Sequence, residues 1–108
     1  MITVDMRDAA FLAAVADASL PAEQFDHRAH LQLAWVCLRQ DGLEPGSPRV
    51  AGLIQAYAEA KGATGKFDVA LTRAWMLRVG AALARTSGDD FTGFLAASPE
   101  LLLPTPNA

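Results

Sequence analysis

The sequence predicts an all-α fold, a compact single-domain bundle of about five helices spanning residues 1–108. Three observations carry that prediction. The chain is 52% hydrophobic but only 7% aromatic, so alanine and leucine, both strong helix formers, supply much of the apolar bulk. β-Branched residues are few and scattered, and no stretch shows period-two alternation around a hairpin turn. A chain of 108 residues is one domain by length. It can bury roughly 65% of the surface its unfolded form exposes, enough for one core without staples.

Each element has its own signals. Thr3 or Asp5 can cap a first helix running to about Ser19, with Phe11, Leu12 and Val15 as its apolar stripe and Leu20-Pro21 as its stop. A second helix follows Asp26 and runs to about Gln40. The segment DGLEPGSP at 41–48 reads as a turn-rich connection. Ser47 as cap and Pro48 as first helical residue then open a third helix. Val50, Leu53, Ile54 and Tyr57 recur in it at helical spacing, and Gly62 closes it. A fourth helix covers roughly Phe67 to Arg85, and a short fifth runs from about Asp89 to Ala97 with Phe91, Phe94 and Leu95 inward. The terminal LLLPTPNA is too broken by proline for a helix. Its leucines either dock on the core or meet a partner chain, which would make a homodimer through the C-terminal segment.

Charge and cysteine usage exclude several function classes. The formal net charge is −3 and the seven arginines are dispersed, so the grouped cations that release counterions from phosphates are missing and no nucleic-acid partner is expected. No apolar run approaches the ~18 residues of a membrane span. Cys37 is the single cysteine, which rules out an intramolecular disulfide and paired-cysteine metal motifs. The start, MITVDMRDAAF, lacks the basic and apolar regions of a signal peptide. The expected compartment is the cytoplasm.

The chemistry-bearing stretch is FDHRAHLQLAW, residues 25–35. On a helical wheel Arg28, Gln32 and Arg39 form a polar arc. His30, Ala34 and Cys37 lie opposite, and His27 falls in the same inward half. Burial and the positive end of the helix dipole both disfavour imidazolium here, so both histidines are expected neutral. Histidines at i, i+3 can reach one ion from one helix face, but a third ligand is needed. In the fourth helix Lys66, Arg73 and Gly80 mark the polar arc, and Asp68 lies nearly opposite, in line with Thr72, Trp75 and Val79. A carboxylate on an apolar face needs a partner. That partner is a metal, a histidine or, if Asp68 is an N-cap, its own helix backbone. The plain readings are a satisfied core for the histidines and a small inert hydrophobe for Cys37.

The segment FDHRAHLQLAWVCL resembles the signature of an uncharacterised family of bacterial helical proteins in which Trp/Phe-x-His-x-x-His-Leu opens a helix. A later segment of that family reads Tyr-His-Glu-Thr-hydrophobic-Thr, and a third region resembles F..F.A..PEL. The resemblance implies an all-helical fold and a buried His/His/His/Glu cluster suited to a metal. His27 and His30 match the first motif. In the second, FDVALT at 67–72, Phe67 replaces the tyrosine, Asp68 the histidine, Val69 the glutamate and Ala70 the threonine, while Thr72 is retained. The family's longer C-terminal stretch is absent here.

Three readings follow. In the first, His27, His30 and Asp68 form a two-histidine, one-carboxylate site for one divalent ion, iron, zinc or manganese. In the second, His27 or His30 is a general acid or base oriented by Asp68, in a small-molecule pocket lined by Trp35, Phe67, Thr72 and Trp75, as suits a tailoring-type enzyme. In the third, the protein is a non-catalytic, dimeric interaction or ligand-binding module, with the histidines as structural core residues.

Overall fold

The computed structural model describes residues 6–62, 68–85 and 90–102. The described residues form five α-helices: α1 (Met6–Ala16), α2 (His27–Asp41), α3 (Leu43–Ala60), α4 (Val69–Arg85) and α5 (Phe91–Ala97). Two 3₁₀ turns, Ala22–Gln24 and Pro99–Leu102, precede α2 and follow α5, and no strand is present among the described residues. The radius of gyration is 13.2 Å, against about 13 Å for a compact domain of this length. No described helix is long and apolar enough to cross a membrane.

α2 is the axis of the bundle. It packs against α1, α3, α4 and the C-terminal 3₁₀ turn. Ala29, Leu31 and the unbroken run Leu33–Leu38 are all buried. The one-sided wheel expected for this helix is therefore corrected. A helix enclosed by neighbours needs apolar residues around most of its circumference. Its arginines reach the rim by lying on aromatic rings: Arg28 over Phe91 at 5.1 Å and Arg39 over Trp35 at 4.4 Å.

The cap of α2 is the one expected, since the Asp26 carboxylate accepts from Ala29 N–H at 2.9 Å. The connection after it differs. Residues 43–48 are already helical, so α2 and α3 are joined through Gly42 alone. Gly42 has φ +81°, a conformation glycine adopts without steric cost, and its N–H closes α2 on the Leu38 carbonyl at 2.9 Å. Two prolines and a glycine suggested a loop, but each tolerates the helix for its own reason. Pro45 falls in the first turn, where no N–H is required. Gly46 lies so close to α2 that an added Cβ would sit 3.2 Å from the Cys37 carbonyl oxygen and 2.7 Å from a Leu38 methyl. Pro48 is an interior proline, and the carbonyl four residues back that it cannot donate to belongs to the exposed Glu44. Ser47 is thus a buried helical residue rather than a cap.

The remaining ends follow the sequence closely. Gly62, with φ +72°, comes two residues beyond α3. Asp90 caps α5 by accepting from Gly93 N–H at 2.7 Å. The expected caps Thr3 and Asp5, and the residues Lys66, Phe67 and Asp89, lie outside the described residues. Of the terminal leucines, Leu101 docks on the core at 2% exposure, whereas Leu102 is exposed. Phe91, Phe94 and Leu95 of α5 point inward as expected and close the core over Trp35.

Candidate functional site

The N-terminal ends of α2 and α4 come together around a partly open cleft of about 300 Å³. From the start of α2 it is lined by Phe25, Asp26, His27 and His30, and from α4 by Asp68, Leu71, Thr72 and Trp75. Leu31, Met76 and Ile54 of α3 complete the wall. Five of the seven residues expected at a site, His27, His30, Asp68, Thr72 and Trp75, therefore share one cavity.

The two histidines are held differently. His30 is half-buried. Its ring stacks on Phe25, with centroids 4.0 Å apart and planes 15° from parallel. Phe25 in turn meets the Tyr57 ring edge-on at 4.5 Å. His30 Nδ1 lies 2.7 Å from the Asp26 carbonyl oxygen. An oxygen of that kind only accepts, so Nδ1 carries the hydrogen and Nε2 the lone pair of the neutral ring. Burial pulls the His30 pKa below its ordinary value, the Asp26 carbonyl hydrogen bond pushes it partly back, and neighbouring His27 lowers it again.

His27 is exposed, which corrects its expected place in the core stripe. As the first residue of α2 it turns toward the mouth of the cleft. Its Nε2–H donates to the Leu101 carbonyl at 2.7 Å, leaving Nδ1 with the lone pair in the neutral ring. Its ring meets Trp75 edge-on at 4.6 Å. Arg78 covers the Trp75 indole at 4.3 Å.

Asp68 both caps α4 and lines the cleft. Its Oδ1 accepts from Leu71 N–H at 2.9 Å, and the Thr72 hydroxyl donates to the Asp68 carbonyl at 2.8 Å. Asp68 makes no hydrogen bond to either imidazole, so it does not orient a histidine base. The Asp26 backbone carbonyl does that for His30. Among the described residues no three His, Cys, Asp or Glu side chains are grouped to hold one ion, His27, His30 and Asp68 included. The donor set implied by the family resemblance does not fit this arrangement.

Trp35 is also reassigned. It lies five residues, about 140° of helix rotation, from His30. It is 2% exposed and packs on Phe91 and Phe94 away from the cleft. Its buried indole N–H has no hydrogen-bond partner among the described residues. Cys37 is fully buried, and burial pushes its thiol up to about 11. It is a packing residue, as expected.

Phe25 and Leu101 are the contributors that sequence reasoning missed. Phe25 precedes the cap Asp26 and stacks on His30, the fourth residue of α2. That is the spacing of a hydrophobic staple, so its signal was in the sequence. The Leu101 carbonyl arrives from 74 residues away and has no local signature. The chain matches no protein-family model, no curated protein and no solved structure.

Proposed function

We propose that the protein binds a small organic molecule in the cleft between the N-terminal ends of α2 and α4, with His30 as its polar anchor. The observation that carries this reading is the fixed tautomer of His30. Its Nδ1–H is held on the Asp26 carbonyl and its face on Phe25, so the lone-pair nitrogen Nε2 belongs to a ring that is already oriented. A pre-oriented polar group in a largely apolar cavity is the usual recipe for a small-ligand site, and about 300 Å³ is at the small end of such sites. Toward a ligand donor, Nε2 is a hydrogen-bond acceptor. Toward an acidic C–H or O–H within reach, the same nitrogen is a general base.

The test is a small-fragment library titrated into the full chain and followed by NMR. The two tryptophans give an internal control, because Trp75 lines the cleft and Trp35 does not. Hits are expected to move the His30 and Trp75 resonances, to leave the Trp35 indole in place, and to disappear in His30→Phe, which keeps an aromatic ring against Phe25. A library that moves none of the cleft resonances at millimolar concentration, or hits that persist in His30→Phe, would remove the reading.

A further inference from the structure

We infer that the ligand of this cleft is a protonated amine, an organic ammonium ion carried on a small apolar body. This rests on the small-molecule reading above and names the chemistry such a molecule must bring. The wall is polarised toward acceptors. His27 Nε2–H and His30 Nδ1–H are both committed to carbonyl oxygens at 2.7 Å, so the opposite nitrogens present lone pairs when the rings are neutral. The Thr72 hydroxyl gives its hydrogen to the Asp68 carbonyl and is left as an acceptor. Asp26 and Asp68 add two carboxylates, and no lysine or arginine lines the cleft among the described residues. Among the described lining residues, the side-chain donors of His27, His30 and Thr72 are committed to backbone carbonyls, which leaves the indole N–H of Trp75.

Two helix N-termini open here, and they favour anions. Each is worth about +0.5 of a charge, against −1 for each of the two carboxylates, and the Arg78 guanidinium on Trp75 brings the sum near zero, so the preference for a cation rests on the acceptors of the wall. The apolar residues Phe25, Leu31, Ile54, Leu71 and Met76 suit a hydrocarbon or aromatic body. Trp75 already holds one cation on its ring, the Arg78 guanidinium at 4.3 Å, which puts its indole in the class of surfaces that attract cations. A metal ion would want the same lone pairs, but His27, His30 and Asp68 are not gathered as a ligand set.

The experiment compares three probes of one shape on the full chain near neutral pH: tryptamine, the uncharged tryptophol and the anionic indole-3-propionate. Binding is read by calorimetry and by the His30 and Trp75 NMR resonances. Tryptamine is expected to bind at least tenfold more tightly than either of the others. Asp26→Asn and Asp68→Asn, which keep the caps because asparagine caps as well as aspartate, are each expected to weaken it by up to about fivefold while leaving the melting temperature near that of the wild type. Equal or tighter cleft binding of tryptophol or indole-3-propionate would overturn the ammonium assignment and leave the small-molecule reading standing. Tight zinc or manganese binding with no response to tryptamine would overturn it in favour of a metal. Silence of the cleft to all three indoles and to the fragment library would overturn both.

Discussion

His30 is held by its immediate sequence neighbours, and that hold sets its chemistry. Its position four residues after the cap puts its ring on Phe25 and its Nδ1–H on the Asp26 carbonyl. Burial then lowers its pKa from the ordinary value near 6.5. A histidine whose folded pKa is depressed takes its proton first in the unfolded chain. The stability it contributes is complete above about pH 6.5 and drains away as the pH falls from there through the lowered folded value. Urea midpoints at pH 8 and pH 5 are expected to show this loss, and His30→Phe to flatten it; an imidazole titrating at or above the ordinary value by NMR would contradict the account. Cys37 gives the opposite kind of prediction. With its thiol near 11 and no exposed surface, it is expected to resist alkylation at pH 8 in the native protein and to react at once in guanidinium. That His27 and His30 start one helix, and that Asp68, Thr72 and Trp75 share a face of another, was legible, because i, i+3 and i, i+4, i+7 spacings fix neighbours on a helix; which helices meet is a tertiary fact that spacing does not contain. The hydrogen bond from His27 to Leu101 was not legible, because it joins segments 74 residues apart that no periodicity connects.

Helix boundaries show where local signals compete. The caps Asp26 and Asp68 were readable because a carboxylate three residues before a free N–H has one favoured use, whereas Asp90, the cap of α5, was passed over for a start at about Asp89. The start of α3 was misread because Pro48 and Ser47 imitate an N-terminus, while the true reason for Gly46, the closeness of α2, is a tertiary fact. That contrast sets up a paired experiment on one helix. Gly46→Ala would drive a methyl into Leu38 and the Cys37 carbonyl and is expected to cost about 1–3 kcal/mol in urea unfolding. Gly52→Ala, in open space on the same helix, is expected to stabilise by about 0.5–1 kcal/mol. If both changes moved stability the same way, the close approach of α2 and α3 would not be what demands a glycine at 46.

For the whole molecule, the enclosure of α2 by all its neighbours means that distant contacts bear on the cleft. Tyr57, buried on α3, donates its hydroxyl to the Leu20 carbonyl at 2.7 Å and packs its ring on Phe25, so one side chain ties α3 both to the segment after α1 and to the wall of the site. Tyr57→Phe keeps the ring and strands the carbonyl; a loss of about 1–3 kcal/mol is expected, with the Phe25–His30 stack and fragment binding intact. All-α architecture followed from composition and period alone, whereas the centrality of α2 did not, because a wheel shows which faces are apolar but not how many neighbours will cover them. The single-residue link at Gly42 also bears on time. Closing so short a connection costs little chain entropy, and α2 with α3 forms the most extensive helix pair in the molecule, so this hairpin should assemble before the ends arrive. In stopped-flow experiments Val50→Ala on α3 is expected to slow refolding, with a φ-value of about 0.5–0.8. Phe94→Ala on α5 should instead hasten unfolding, with a φ-value below about 0.3. The last segment to settle would then be the one that delivers the Leu101 carbonyl to His27, so the cleft would be completed only in the final step of folding.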